Sequence, residues 1–202
     1  LPLDEQLKAK QLTQVVACCR WFDALLLESL AQQIQISVPA SRARSTQSQA
    51  TCFAWLKEQT FVEPISSGRL RVDDVARDVF RASLWQENQP TFEHTHDVLA
   101  RYFKAKSDQV VSTSTPTSEK YDNPDWREPC AEYLYHLSFT RQGSLQTIWL
   151  SHLLEANYLG KATTVHAPFQ WLRAEYMLKD HPHLSYINRS FLNTLRPAAD
   201  HG

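Results

Sequence analysis

Histidines are the residues of this chain with the clearest potential for chemistry, because two pairs of them lie two positions apart. His94 and His96 diverge by about 200° if they lie on a helix, so they cannot easily chelate one ion. His181 and His183 flank a proline and, with Asp180, form a candidate for a weak metal site. Histidines in loops are more often solvated than metal-bound, so the sequence predicts no metal site.

A further histidine, His136, lies in an aromatic stretch, and Glu132 precedes it by four residues. Residues four apart face each other on a helix. The pair therefore predicts a structural contact in helix packing rather than a general base. No G-x-S-x-G elbow, H-E-x-x-H helix or local Ser-His-Asp pattern occurs in the chain, so the sequence predicts no catalytic residue.

The chain has four glycines, which stand far apart at Gly68, Gly143, Gly160 and Gly202. Average usage would supply about fourteen in a chain of this length. A G-x-x-x-x-G-K-[ST] loop that cradles phosphates is absent from the sequence. We therefore expect no cofactor, and expect any phosphate-binding machinery to lie upstream of Leu1.

The four cysteines are Cys18, Cys19, Cys52 and Cys130, and none has the C-x-x-C spacing used for zinc or redox chemistry. Their neighbours are mostly apolar, which favours buried thiols that pack as small hydrophobic side chains. Thiols without disulfides are typical of a reducing compartment. The sequence therefore predicts a cytoplasmic protein.

Composition limits the classes of partner. Hydrophobic residues make up 43% of the 202 residues and charged residues 21%, which suits a chain with a sizeable core. The net charge of -1 supplies no overall field that would recruit nucleic acid or an acidic membrane. No apolar run approaches the roughly twenty residues that span a bilayer, and no signal-peptide pattern is present. Because the chain begins Leu-Pro-Leu, we expect it to be a segment of a longer protein.

Helical periodicity dominates the first half of the chain. Helices are predicted over residues 7–17, 24–34 and 48–58, after an N-cap at Asp73 or Asp74, and over residues 91–106. Asp23 is the expected N-cap of the second helix, and Pro90 can start the last one. The expected inward-facing residues include Leu7, Leu12, Val15 and Val16; Leu26, Leu27, Leu30 and Ile34; Phe53, Trp55 and Leu56; Val75, Val79, Phe80 and Ala82; and Leu99, Tyr102 and Phe103. Residues 37–49 are polar and predict a loop.

A single β signal interrupts these helices. Residues 60–65 and 69–72 predict two short strands joined by a turn at residues 66–68. Pro64 cannot donate to a strand ladder, so its strand lies at an edge or ends there. Three helices, a hairpin and a further helix follow one another in the order of a winged-helix domain.

Residues 107–123 are rich in Ser, Thr, Asp, Lys and Pro, a composition typical of a mobile connector, which would be either a hinge or a disordered spacer. Beyond them, apolar-periodic stretches cover residues 126–139, 145–158, 168–178 and 184–195. We therefore expect a mainly α protein with a winged-helix domain and short β-hairpin at 1–106. A linker at 107–123 and an all-helical bundle at 124–202 would follow.

Five segments together resemble the region that follows the nucleotide-binding core in signal-transduction ATPases with numerous domains, the STAND class (NACHT/NB-ARC-like). They are Ala17-Cys18-Cys19-Arg20-Trp21-Phe22 with Leu25-Leu26, residues 53–63, Arg69-Leu70-Arg71-Val72-Asp73-Asp74-Val75-Ala76-Arg77, residues 96–103 and Glu132-Tyr133-Leu134-Tyr135-His136-Leu137. The resemblance covers residues 10–140. Its last segment is similar to helices that often lead into tetratricopeptide (TPR) repeats, which implies a TPR-like bundle.

The resemblance implies a regulatory role without catalysis. In that family the histidine of a His-Asp motif lies near the nucleotide phosphates, and the matching positions here are Asp73 and Asp74. A carboxylate repels a diphosphate unless Mg²⁺ intervenes, so the motif is degenerate at Asp73, and Asp74 is expected to be the helix N-cap. The implied partners are the nucleotide-binding domain of the same polypeptide and other proteins. The implied task is to couple the nucleotide state of that domain to a downstream sensor.

A winged-helix DNA-binding transcriptional regulator is the alternative. Its third helix would enter the major groove and the hairpin would form the wing. The cations available for phosphate contact are Arg42, Arg44, Lys57, Arg69 and Arg71. The third helix lacks the basic stripe that specific readers normally show, so nucleic acid is the less favoured partner.

A protein-interaction scaffold is a third alternative. The helical half is rich in aromatic residues, namely Trp126, Tyr133, Tyr135, Trp149, Tyr158, Phe169, Trp171 and Tyr176. Most are expected in the core, and the others would cover a groove for a partner helix or for neighbouring repeats. No period of thirty-four residues is present, so the sequence does not demonstrate true repeats.

Overall fold

A computed structural model describes residues 2–37, 52–66, 68–112, 114–161, 168, 170–173, 175 and 183–200. The chain divides into two compact units, Leu1–Thr95 and His96–Gly202. Among the described residues the protein is mainly helical, and its one sheet is a small antiparallel hairpin.

Unit 1 contains α1 (Leu3–Val16), α2 (Ala24–Ile34), α3 (Cys52–Lys57), β1 (Val62–Pro64), β2 (Leu70–Val72), α4 (Asp74–Glu87) and the first residues of α5 (Gln89–Val110). Unit 2 contains the rest of α5, α6 (Thr117–Asp122), α7 (Pro124–Leu137), α8 (Leu145–Tyr158) and α9 (Tyr186–Asp200). Residues 170–173 are also helical. The division between the units therefore falls inside α5.

Helix α2 begins and ends where the sequence predicts. Its N-cap Asp23 accepts a hydrogen bond from the backbone N–H of Leu26 at 2.8 Å, which satisfies one of the free donors at the helix start. At the other end Gln35 adopts a left-handed conformation with φ 58° and donates to the carbonyl of Ala31. Leucines along one side of the helix are buried, as the apolar stripe predicts.

The β-hairpin forms at the predicted place, with Val62 paired to Val72 and Pro64 to Leu70. Pro64 is the last residue of β1, and its missing N–H costs no bond to β2, because Leu70 directs its own N–H and C=O to Phe22 on its other side. The turn places Gly68 at φ 76°, a conformation that glycine adopts without strain. Leu70 also exchanges two backbone hydrogen bonds of 2.8 Å with Phe22, so β2 is tied to the connection between α1 and α2.

The predicted inward face of α4 is wrong at its two valines. Val75 and Val79 are 76% and 60% exposed, whereas Arg81 and Leu84 are buried. The Arg81 guanidinium lies 5.9 Å from the ring centre of Phe92. A long arginine side chain covers apolar surface with its aliphatic stem. Arg81 therefore belongs to the buried stripe of α4 although it is charged, and the two valines face solvent.

Polar contacts between α1 and α4 fix this rotation. Gln14 donates to Ser83 at 2.9 Å, and Lys10 pairs with Glu87 at 2.8 Å. Leu12, Val15 and Val16 are fully buried as predicted, whereas Leu7 is exposed, contrary to the prediction.

The structure also differs from the linker predicted at residues 107–123. Residues 107–110 complete α5, and Thr117–Asp122 forms α6. Tyr121 of α6 is 1% exposed. Burial of this aromatic side chain stabilises the short helix. The polar composition of the segment does not indicate that such a buried residue is present.

Helices α7 and α9 overlap the predicted apolar stretches 126–139 and 184–195, and α8 covers 145–158 as expected. Trp149 of α8 is fully buried and donates from its indole N–H to the hydroxyl of Ser138 at 3.0 Å. The other predicted aromatic residues of this half divide between core and surface. Trp126, Tyr133 and Tyr135 are buried, Trp171 is half-buried, Tyr158 is exposed, and Phe169 and Tyr176 lie outside the described residues.

Candidate functional site

The junction between β2 and α4 holds the candidate nucleotide-sensing motif. Asp73 ends the hairpin: its N–H donates to the carbonyl of Phe61 at 2.9 Å, and its carboxylate accepts from the N–H of Ala76 at 3.0 Å. Asp74 is the first residue of α4 and is exposed. Of the two predicted N-cap candidates the structure selects Asp73, so the cap that the resemblance assigned to Asp74 is wrong by one residue. The hairpin bond to Phe61 holds Asp73 outside the helix, so α4 starts immediately after it.

The two hairpin arginines, considered as nucleic-acid contacts, both have partners within unit 1. Arg71 lies opposite Glu63 on the neighbouring strand, and its guanidinium donates to one carboxylate oxygen at 3.0 and 3.1 Å. The guanidinium carbon of Arg69 lies 3.9 Å from the ring centre of Trp21, a cation–π distance.

Of the other three cations considered for DNA binding, the structure describes one, Lys57. Lys57 occupies the last turn of α3 and is exposed. Arg42 and Arg44, and the predicted loop and helix start around them, lie outside the described residues.

A cavity of about 430 Å³ lies in unit 2, lined by residues from α5, α6, α7 and α8. Its lining combines charged, aromatic and sulfur-containing side chains. Those with chemical potential are Lys104, Asp108, Tyr121, Cys130, His152 and Glu155. Lys104 and Asp108 already form an ion pair with two 2.6 Å contacts.

Cys130 and His152 meet in this cavity, where the thiol sulfur lies 3.9 Å from the imidazole Nδ1. Burial raises the pKa of Cys130 to about 12 and lowers the pKa of His152 below its usual range. The pair therefore consists of a protonated thiol and a neutral imidazole at pH 7. A nucleophilic cysteine needs the thiolate, so this geometry does not prepare Cys130 for attack.

All four cysteines are buried and free of disulfides, as the sequence predicts.

Tyr121 links α6 to α8 at the edge of the same cavity. Its hydroxyl lies 3.2 Å from both Nδ1 and the carbonyl oxygen of His152, and 3.4 Å from the Glu155 carboxylate. Burial, followed by the charge of Glu155, raises the pKa of Tyr121 far above its usual range. The hydroxyl therefore remains a hydrogen-bond donor. An ion pair between Lys161, just after α8, and Asp122 of α6 forms a second link between these helices.

A buried histidine pair joins α5 to α7. His96 and His136 are both fully buried, and their Nδ1 atoms lie 2.9 Å apart. Phe139 stacks on His96 with ring centres 4.3 Å apart, and Phe103 stacks on His136 at 5.6 Å. The Nε2 of His136 lies 3.8 Å from the Glu132 carboxylate. The predicted packing role of His136 and its contact with Glu132 are confirmed, but the sequence did not indicate His96 as the partner, because forty residues separate the two.

The candidate weak metal site around His183 has a different arrangement. His183 Nδ1 lies 2.8 Å from the Glu175 carboxylate, and both side chains are buried. Asp180 and His181 lie outside the described residues. Within the described part of the chain, no group of three or more His, Cys, Asp or Glu side chains could hold a metal ion. No helix in that part is long and apolar enough to cross a membrane.

No protein-family model, curated protein or solved structure matches this chain.

Proposed function

We propose that the chain is a non-catalytic regulatory segment of a STAND-class signalling ATPase. It would couple the nucleotide state of a nucleotide-binding domain in the same polypeptide to a downstream sensor. Unit 1 would act as the winged helix, and the helices of unit 2 would act as a TPR-like connector.

The observation that carries this proposal is the order and linkage of the elements in unit 1. Among the described residues of unit 1, three helices precede a β-hairpin, and α4 follows the hairpin directly. The hairpin is held to the α1–α2 connection through Phe22 and Leu70, which supports a single body of the winged-helix type. Such a body can move as a unit between two packings that differ by only a few kcal/mol.

The environment of Asp73 supports a degenerate form of the nucleotide-sensing motif. Its carboxylate is used to cap α4, and a carboxylate repels a diphosphate at close range. In our proposal this position therefore transmits the nucleotide state through the packing of α4 rather than through a phosphate contact.

The chemistry of unit 2 is compatible with a role that involves no bond breaking. The Cys130–His152 pair is neutral, and the Lys104 and Asp108 charges compensate each other. These observations favour an interaction role over nucleophilic catalysis.

The reading frame that encodes this chain provides the first test. We expect it to encode a G-x-x-x-x-G-K-[ST] loop upstream of Leu1. A reading frame without such a loop contradicts the proposal.

The second test uses the full polypeptide that contains the nucleotide-binding domain. Replacing Asp73 with histidine restores a phosphate-compatible side chain, so Asp73→His should tighten ADP binding in calorimetry. Asp74→His is the matched control and should leave ADP affinity unchanged, since Asp74 is exposed at the helix start. Unchanged ADP affinity in Asp73→His would count against the assigned position.

The DNA-binding alternative is tested on the chain itself. A DNA-binding winged helix loses affinity steeply as salt increases, because phosphate contacts release counterions. We expect no such affinity, since Arg69 and Arg71 have partners within unit 1. Salt-sensitive binding to duplex DNA that disappears in an Arg69→Ala, Arg71→Ala double variant would replace our proposal with the alternative.

A further inference from the structure

The His96–His136 contact imposes a rule on proton occupancy. Two Nδ1 atoms at 2.9 Å can form a hydrogen bond only when one carries a proton and the other offers a lone pair. In the neutral pair the two imidazoles must therefore be in opposite tautomers. If both rings become imidazolium, two N–H groups face each other, and the hydrogen bond is lost.

The pair can accept one positive charge without breaking this rule. A protonated His136 donates from Nδ1 to the lone pair of His96, and its Nε2–H faces the Glu132 carboxylate 3.8 Å away. The single imidazolium then compensates a buried carboxylate. A second positive charge sets two imidazolium N–H groups against each other across this 2.9 Å contact, and burial strengthens the repulsion between such like charges.

Other titratable and charged groups lie around the pair. The Tyr135 ring, on α7, contacts both imidazoles with ring centres 5.0 and 6.4 Å away. Asp97 follows His96 on α5, but its carboxylate contacts Arg101 and Gln142. Phe103 and Phe139 cover one ring face each. The Glu132 carboxylate, 3.8 Å from the Nε2 of His136, lies against the pair.

We propose that His96 and His136 form a proton-controlled latch between α5 and α7, closed with at most one proton charge and opened by a second. The device is independent of the function proposed above. At neutral pH the Nδ1–Nδ1 hydrogen bond holds the two helices together inside unit 2. On acidification the second protonation separates the rings and exposes the α5–α7 contact.

The direction of the pH effect follows from proton counting. Both histidines take up a proton in the unfolded chain below about pH 6.5, whereas the closed latch holds at most one. The unfolded state then binds more protons, so the stability that the latch contributes is present above that pH and is lost as the pH falls.

The principal variant is His96→Asn, whose amide can keep a hydrogen bond to His136 but does not titrate. Wild type and variant are unfolded in urea between pH 4 and 6.5. As the pH falls, we expect the equilibrium constant for unfolding of the wild type to increase about tenfold more per pH unit than that of the variant. This difference corresponds to one additional proton taken up when the wild type unfolds. His94→Asn is the matched control, because His94 is an exposed histidine on the same helix. It should keep the wild-type slope.

A second measurement on the wild type keeps the test decisive if His96→Asn does not fold. Nitrogen-15 NMR of the imidazoles reports the tautomer and charge of each ring. We expect opposite tautomers at neutral pH, a single imidazolium when the first proton binds on acidification, and faster amide exchange in α5 and α7 once both rings are charged. Equal pH slopes for wild type and His96→Asn, or two imidazolium rings with unchanged amide protection, would overturn the proposal.

Discussion

The side-chain amide nitrogen of Asn188 donates to the backbone carbonyl of Ser138 at 2.9 Å, and also to that of Thr140 at 2.9 Å. These carbonyls lie just beyond the last turn of α7, where a helix cannot satisfy its own acceptors. Asn188 is buried, so water does not compete for them. A residue on α9 thus closes the end of a helix fifty positions earlier in the chain.

We expect Asn188→Asp to destabilise unit 2 by about 1–3 kcal/mol. The carboxylate has nearly the same shape as the amide but offers no proton to the two carbonyls, which are left buried without a donor. Urea unfolding followed by tryptophan fluorescence measures the change. Asn193→Asp on the exposed face of the same helix is the control, and an equal loss in both variants would refute the capping role.

Asp73 and Asp74 differ in role although they are neighbours. We expect Asp73→Ala to lower the free energy of unfolding by about 1 kcal/mol, because the N–H of Ala76 loses its acceptor, whereas Asp73→Asn retains the cap. Asp74→Ala removes only an exposed charge near the helix start, an effect that salt should screen. Circular dichroism during urea unfolding distinguishes them. A larger loss in Asp74→Ala than in Asp73→Ala would contradict the observed cap.

Glu87 makes the contact between α1 and α4 sensitive to acid. Its hydrogen bond to Lys10, followed by those to Ser83 and Gln14, lowers the pKa of the carboxyl to about 2. A carboxyl group whose pKa is lower in the folded than in the unfolded chain contributes stability above the unfolded pKa, which is near 4.3. This contribution is lost as the pH falls toward 2. The stability difference between wild type and Glu87→Gln should therefore be present at pH 6 and vanish near pH 2. High salt should reduce it, since the group is exposed. Parallel stability curves across that range would show that the network contributes nothing.

The raised pKa of Cys130 predicts slow alkylation. Burial keeps the thiol protonated to about pH 12, and only the thiolate reacts. The rate of iodoacetamide labelling at Cys130, resolved by peptide mass spectrometry, should still increase with pH above 9 in the folded chain. In urea the rate should level off above about pH 8.5, the pKa of an unperturbed thiol. A plateau below pH 9 in the folded chain would mean that Cys130 is activated.

Local features of the sequence were sufficient for much of the secondary structure. Asp23 before an apolar stripe located α2, and two β-rich stretches around a Ser-Ser-Gly turn located the hairpin. The bounds of α8 were also predicted. Capping and turn preferences act between residues a few positions apart, so the sequence carries them directly.

Tertiary packing decided the orientation of these elements and the pairs that meet in the core. Arg81 rather than Val75 or Val79 faces inward on α4, because long-range contacts with α1 set the rotation of the helix. The partners of His136 and Ser138 are forty and fifty residues away. A pattern of spacing cannot report such distances, since the free energy of these contacts depends on which distant surfaces the chain brings together.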